Sequence, residues 1–271
     1  MEDPFLAYSP FAGSDNLILR HSHEILISFL IYHFVVGLWF APLANRLVFG
    51  KHYTQLEDKK VKLNFDIHTV SMVQCVISLA LAWPILLEPL STSVVAYQSS
   101  YNSMVAAVTC GYFVWDLVVC VEHFSMFGVG FLGHALASLY VFAVSLTPFC
   151  QSWIGKFLIF EASTPFVNVN WYISQLSRSA TKPVVPLWFN ALNGALLILT
   201  FFVVRILWGF SAVFILIRQF WMERHVVPMW LPLTVMPLNV GLDALNVLWL
   251  NKMMRIAKKM ARGSKKDSKM G

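Results

Sequence analysis

The sequence predicts an all-α polytopic membrane protein, a transmembrane helical bundle or barrel of about seven spans. Hydrophobic residues make up 58% of the 271 residues and charged residues 13%, whereas soluble domains carry about 25% charged residues. The apolar residues lie in long runs, and a membrane helix needs about 20 of them. Strands of a membrane barrel would alternate apolar and polar residues over about ten positions, and these runs do not alternate.

The apolar runs, separated by polar or proline-containing stretches, define the predicted spans. In order they are Ile25–Ala44, Thr69–Leu87, Met104–Val121, Val129–Phe149, Trp153–Val167 with an extension through Ile173, Val184–Ile217 and Val226–Leu250. We expect Pro165 to break the fifth span. The sixth is long enough to require a tilt, with Gly209 near its exit from the membrane. The predicted domains are residues 1–63 (a first helix and a cytosolic loop), 64–260 (a six-helix domain) and 261–271 (a basic, disordered cytosolic tail).

Basic residues predict the orientation of these spans. Seven crossings place the chain ends on opposite sides, and 15 of the 20 lysine and arginine residues then fall on the side of the C-terminus. Cytosolic loops carry such an excess. We therefore expect a lumenal N-terminus and a cytosolic C-terminus. Because the basic residues lie at membrane edges, the net charge of +6 does not indicate nucleic-acid binding.

Polar side chains within the predicted spans mark the candidate site. Asp116 and His134 lie in neighbouring spans, and an ionisable residue inside a span costs roughly 2.5–3.5 kcal/mol on insertion scales. At about 1.5 Å per helical residue, both lie close beneath the cytosolic boundary. Other spans contribute to the same layer with His68, Ser71, Glu161, Asn190, Asn193, Asp243 and Asn246. Arg205 is expected nearer the lumenal half, without an identifiable partner.

Three interpretations of this layer remain open at the level of sequence. The side chains could form hydrogen bonds between helices, they could line a pocket for a lipid headgroup or thioester, or they could be catalytic. In the last case Asp116 would orient His134, which would act as a general base. We expect no metal and no cofactor, because the His, Cys and carboxylate residues show no metal-ligand spacing.

Several motifs between Asn64 and Met260 resemble a known membrane domain. They are Asn64–Ser71 at the start of the second span, Gly111–Asp116, Phe131–Ser138, the Glu-x-Ser-Thr-Pro-Phe-x-Asn string of Glu161–Asn168 with Trp171, Leu192–Gly194, Phe201–Arg205 and Leu245–Trp249. With these motifs the chain resembles the TLC family, the domain shared by TRAM, Lag-type ceramide synthases and CLN-type proteins. It is most similar to the branch that does not make ceramide.

The resemblance implies a helical barrel around a lipid-accessible cavity in the endoplasmic reticulum membrane. It implies Asp116, His134 and Glu161 as cavity residues. Two features of ceramide synthases are missing: Ala135 replaces the second of two adjacent histidines, and Trp153–Phe157 replaces a His-Asp-x-x-Asp run.

We therefore predict a membrane protein that binds or handles acyl lipids in lipid homeostasis, through a polar cavity on the cytosolic side. His68, Glu161, Asn168, Asn193, Asp243 and Asn246 are the predicted lipid-binding residues. One alternative is an acyl-CoA-dependent acyltransferase of ceramide-synthase type, with His134 and Asp116 as catalytic residues and acyl-CoA and sphingoid bases as substrates. Another is a transporter or cargo receptor, which would predict inverted repeats.

Overall fold

The computed structural model describes residues 1–178 and 182–267, with side chains described up to residue 258. Its regular secondary structure is entirely helical within those residues, as the sequence predicts. Six of the described helices are long and apolar enough to cross a membrane, judged by length and composition. They are α1 (Ser22–Phe49), α2 (Lys59–Leu86), α3 (Ser100–Glu122), α4 (Phe124–Val144), α5 (Leu187–Met222) and α6 (Trp230–Asp267). The predicted tail, residues 261–271, extends beyond the described part.

A broken segment, residues 151–177, packs beside these six helices in the described chain. Two short α-helices alternate in it with 3₁₀ turns. The segment packs antiparallel along α2, because Gly155 lies against Ile85 near the end of α2 and Asn168 bonds Ser71 near its middle. Residues 71 and 85 are separated by about 21 Å of helix. The predicted fifth span therefore runs along most of the bundle, although no single helix in it is long enough to cross.

The interruption in this segment lies upstream of the predicted position. A 3₁₀ turn at Ile159–Ser163 is the break, and Pro165 lies in the first turn of the helix Thr164–Ser177. Proline is favoured at that position because its missing N–H is one that the first turn leaves unbonded. Irregular backbone at membrane depth is tolerated where it lines a cavity, and this turn does so through Glu161.

The two ends of the described chain lie at opposite faces of the bundle. Asp3 donates its N–H to Ser100 at the start of α3, and we call this the N-terminal face. The helix α6 begins at that face, where Trp230 packs against Phe149. It runs antiparallel to α4 until Trp249 reaches His134, towards what we call the C-terminal face. This arrangement agrees with an odd number of crossings.

The helix α3 forms the centre of the bundle. Of its 23 residues, 15 are buried, whereas in each of the other long helices no more than about a third of the most apolar stretch is buried. Small residues allow close packing between membrane helices, and Ala106, Ala107 and Gly111 are all buried here. The helices α3 and α4 carry the predicted site residues Asp116 and His134. This pair of helices thus joins the core of the protein to its lipid-facing surface.

The helix α5 is a single helix of 36 residues, about 54 Å long. A π-helical turn at Phe202–Leu207 carries Arg205 towards the interior of the bundle. Gly209 is predicted to lie near the exit of this span from the membrane, and the helix continues through it to Met222. It lies inside α5 where the carboxylate of Asp243 on α6 approaches closely, and a Cβ at that position would be 2.7 Å from Asp243 Oδ1.

Candidate functional site

A small cavity of about 50 Å³ lies between α4, the broken segment, α5 and α6, with Gln74 of α2 and Phe113 of α3 also in its wall. Its polar lining includes His134, Ser138, Glu161, Arg205, Asn239 and Asn246. Phenylalanine and leucine side chains complete the wall. Since a cavity needs about 10–15 Å³ to hold one water, this cavity has room for a few waters or one small polar group. It therefore brings together three predicted site residues: His134, Glu161 and Asn246.

His134 lines this cavity, and one of its ring nitrogens is unsatisfied in the described chain. Its Nδ1 is buried and has no hydrogen-bond partner among the described residues. The ring is flanked by Trp249, with centroids 5.6 Å apart, and by Phe113, with centroids 6.5 Å apart. A buried polar atom without a partner is unfavourable, so a ligand or ordered water that bonded Nδ1 would stabilise this arrangement.

Asp116 is separate from the cavity lining. It lies half-buried on α3, and no hydrogen bond joins it to His134 in the described part of the chain. The carboxylate that shares the cavity with His134 is Glu161, whose Oε2 accepts a 2.7 Å hydrogen bond from the Thr164 hydroxyl. The catalytic pairing of Asp116 with His134 therefore stays a prediction, and Glu161 is the acid with access to the cavity.

Arg205 is the main site residue that sequence reasoning misplaced. It lines the same cavity as His134 rather than a separate region near the opposite face. Its side chain is buried, and Nε donates a 2.9 Å hydrogen bond to Ser163 Oγ. The guanidinium carbon lies 5.4 Å from the Phe201 ring centre and 6.0 Å from that of Phe160. An arginine within a span is a functional-site signal in itself, and the sequence alone could not supply its neighbours.

No acidic side chain pairs directly with Arg205. Within residues 1–178 and 182–258, no carboxylate oxygen lies within 4.0 Å of its guanidinium nitrogens. Cation–π contacts with the two phenylalanines stabilise the charge in part. The guanidinium therefore retains donors that can bind an anionic or carbonyl oxygen in the cavity.

A second polar group, which we call the His68 cluster, lies nearer the C-terminal face. His68 Nδ1 is 2.8 Å from Asn168 Oδ1, and Asn168 Nδ2 donates to Ser71 Oγ at 3.3 Å. The His68 ring stacks on Trp171 with centroids 4.0 Å apart. These contacts join α2 to the broken segment. The predicted lipid-binding residues His68 and Asn168 thus satisfy one another across a helix interface.

A hydrogen-bonded network beside this cluster was not identified from the sequence. Thr69 Oγ1 donates to Asn45 Oδ1 at 2.8 Å, and Asn45 donates its amide to Asp66 at 2.8 Å. Tyr53 donates its hydroxyl to the same carboxylate at 2.8 Å. Burial, reinforced by the Asp66 hydrogen bond and charge, raises the pKa of Tyr53 well above its usual range. The network connects α1, α2 and the loop between them, so its role is structural.

The remaining predicted residues lie apart from the cavity. Asn193 on α5 donates its amide to the Phe166 carbonyl at 3.2 Å. Asp243 is buried on α6 against Gly209. The single polar layer expected from depth therefore separates into the cavity, the His68 cluster and individual contacts between helices.

We expect Asn168→Ala to destabilise the protein by about 1–2 kcal/mol, because the partners of a buried amide then lose their hydrogen bonds. Thermal unfolding of the purified protein in detergent measures this. Asn170→Ala is the matched control, since Asn170 lies on the same helix without a side-chain hydrogen bond in the described chain. Equal unfolding temperatures for the two variants would contradict the structural role of the His68 cluster.

Most of this chain matches a known domain family. The family model of the TLC domain matches residues 64–255. The chain belongs to the TLC-domain family. The resemblance drawn from the Glu161–Asn168 string and its neighbours is thereby confirmed. The matched range of the TLC domain contains every residue of the cavity and the partners of the His68 cluster.

Relatives extend the match over nearly the whole chain. A protein of Saccharomyces cerevisiae named "Topoisomerase I damage affected protein 4" is 50% identical over 97% of this chain and 93% of its own length. An uncharacterized TLC domain-containing protein of Schizosaccharomyces pombe is 34% identical over 92% of this chain and 83% of its own. The human TLC domain-containing protein 4 is 28% identical over 54% of this chain and 55% of its own. These relatives are not named as ceramide synthases, which supports assignment to the other branch. No solved structure matches the chain.

Proposed function

We propose that this TLC-domain protein binds an acyl lipid by its polar head in the cavity beside Arg205. The observation that carries the proposal is a buried arginine that lines a cavity and has no carboxylate within 4.0 Å in the described chain. Charge-assisted hydrogen bonds from guanidinium groups to phosphate or carboxylate oxygens are among the strong polar interactions in proteins. An anionic lipid oxygen would supply the missing partner.

The size and lining of the cavity define which part of the lipid enters. A cavity of about 50 Å³ admits a group the size of a few waters. The phosphate or ester region of a lipid therefore enters, and its acyl chains remain outside among the helices. Phe157, Leu158 and Leu242 form apolar wall on which the first carbons of a chain would pack. His134 Nδ1, without a partner, would bond a further oxygen of the head.

The proposal also includes the orientation of the protein in its membrane and the membrane in which it lies. The chain ends lie at opposite faces of the bundle, and the excess of basic residues belongs to the C-terminal face. That excess supports a cytosolic C-terminal face and a lumenal N-terminal face. The endoplasmic reticulum is the proposed membrane, and lipid homeostasis is the proposed process, both on the resemblance to the non-synthase branch.

The test is quantitative lipid analysis of the purified protein. Wild type should retain lipid after purification in detergent, and Arg205→Gln should retain about tenfold less, because a charge-assisted hydrogen bond contributes about 1.5–3 kcal/mol. Arg218→Gln is the control, since Arg218 lies on the same helix and is exposed. If Arg205→Gln folds and retains the same lipid in the same amount, the proposal is wrong.

A specific observation also supports the acyltransferase alternative. His134 lines a cavity together with a carboxylate, Glu161, and its Nδ1 has no hydrogen-bond partner among the described residues. A general base requires access to the proton that it removes. Incubation with labelled acyl-CoA and sphingoid bases distinguishes the two functions: turnover that His134→Ala abolishes supports the enzyme, and bound lipid without turnover supports the binding protein.

A further inference from the structure

Three metal-ligating side chains meet at the N-terminal face, outside the matched TLC domain. His21 Nδ1 lies 2.7 Å from Glu24 Oε2 and 3.4 Å from Asp3 Oδ2. One ligand atom from each residue lies within 4.8 Å of the others. Glu24 is one helical turn after His21, whereas Asp3 is brought in by the segment that precedes α1. The folding of that segment therefore creates the group, and local sequence spacing does not reveal it.

These side chains are withdrawn from solvent without full hydrogen bonding. The exposed fractions are 9% for Asp3, 1% for His21 and 4% for Glu24. Asp3 Oδ2 and Glu24 Oε1 have no hydrogen-bond partner among the described residues. Burial of a carboxylate is strongly unfavourable unless the charge is paired or coordinates a metal. His21 contacts both carboxylates and His23 lies 3.9 Å from Glu24, so with neutral imidazoles two negative charges are buried together.

We propose that Asp3, His21 and Glu24 bind a divalent transition-metal ion, with Zn²⁺ as the first candidate. Two carboxylates and a neutral imidazole compensate the charge of a divalent ion completely. Zinc accepts this set of nitrogen and oxygen ligands in tetrahedral geometry at about 2.0–2.2 Å. Ligand atoms around such an ion are separated by about 3.3–3.4 Å. The Asp3–His21 separation of 3.4 Å already meets this value, and Glu24 Oε2, at 2.7 Å from His21 Nδ1, needs to withdraw by about 0.6–0.7 Å.

The fourth ligand is water or His23. His23 Nε2 lies 3.9 Å from Glu24 Oε1, and it also contacts the Phe5 carbonyl at 3.1 Å. Its Nδ1 is buried without a hydrogen-bond partner in the described chain. A modest rotation of this ring would therefore satisfy both the histidine and the ion.

The ion would fasten the N-terminal segment to the bundle. Asp3 also bonds Ser100 at the start of α3 through its backbone N–H, at 3.3 Å. A metal on the Asp3 carboxylate would thus hold the segment, the start of α1 and the start of α3 together. Because metal binding to a folded site adds its binding free energy to stability, zinc should stabilise the whole protein and not only the segment.

The experiment uses the full chain in lipid nanodiscs and Zn²⁺ alone as the probe. After chelation and buffer exchange, elemental analysis of wild type titrated with Zn²⁺ should give about one ion per chain, and the unfolding temperature should rise. Removal of zinc by a chelator should reverse that rise. This reversal needs no variant, so it remains informative even if a substitution prevents folding.

Variants then assign the ion to this group. His21→Ala and the isosteric Glu24→Gln should each weaken zinc binding at least about tenfold, and His225→Ala should bind as wild type does. His225 is an exposed histidine on the loop that precedes α6. The proposal is overturned if wild type binds no zinc above the level of Glu24→Gln, or if the bound ion depends on His225 instead. Unchanged stability of wild type with and without zinc, at full occupancy, would contradict the fastening role.

Discussion

Gly111→Ala should destabilise the protein by about 3 kcal/mol, the upper part of the range for overpacked cores. Gly111 lies where α3 passes closest to α1. A Cβ there would be 2.5 Å from the Ile25 carbonyl oxygen and 2.5 Å from Ser28 Cβ. Neither atom is the end of a flexible side chain, so the two helices must separate. Separation would also lengthen the 2.7 Å hydrogen bond from Ser28 Oγ to the Val108 carbonyl.

Gly133→Ala is the matched control for that substitution. Gly133 lies inside α4, and a Cβ there meets nothing within 4 Å. Replacement of glycine by alanine in an open helix interior ordinarily favours the helix by about 1 kcal/mol. The two variants should therefore shift the unfolding temperature in opposite directions. If Gly111→Ala unfolds at or above the temperature of Gly133→Ala, the close contact between α1 and α3 is not real.

Gly155→Ala should have the second large effect, because it disturbs both stability and the cavity. A Cβ at Gly155 would lie 2.7 Å from Ile85 Cβ and 3.0 Å from the Ala82 carbonyl oxygen. The broken segment would then move away from α2. Phe157, Leu158 and Glu161 follow Gly155 directly and line the cavity. We expect a loss of about 2–3 kcal/mol together with a lower content of bound lipid.

Gly194→Ala on α5 controls for the removal of a glycine, since a Cβ there meets nothing within 4 Å. Unfolding temperature and bound lipid should be measured on the same preparations. Loss of stability with unchanged lipid content in Gly155→Ala would show that the broken segment does not shape the lipid site. Equal behaviour of the two glycine variants would contradict the packing of the segment on α2.

Much of the fold follows directly from the composition of the chain. A backbone in lipid must satisfy its own hydrogen bonds, so only helices and closed barrels can cross a membrane. Long apolar runs that do not alternate, in a chain with 13% charged residues, therefore favour helices. The bounds of the helices differ from the predicted spans mainly by extension into polar ends, as at Lys59 and Met222. The broken segment was harder to predict. From sequence alone Pro165 indicates that a helix is interrupted, whereas in the structure Pro165 lies in the first turn of a helix.

The candidate site was predicted only in part. Depth along a helix can be counted from sequence, and three of the residues selected in this way, His134, Glu161 and Asn246, line one cavity. The side of the helix on which a residue lies in the bundle, and its contacts with distant segments, cannot be obtained in this way. Arg205 was therefore expected apart from the cavity that it lines. The pairing of Asp116 with His134 stays a prediction, since no hydrogen bond in the described chain joins them.

The sequence by itself determined that this protein is a helical membrane protein of the TLC family, because hydrophobicity and local motifs are properties of consecutive residues. Only the tertiary structure decided which polar groups share a cavity, which satisfy one another as His68 and Asn168 do, and that Asp3 joins His21 and Glu24. The physical reason is that each buried polar group must find its partner across a helix interface. The choice of partner depends on how the helices rotate and pack, which no single helix specifies.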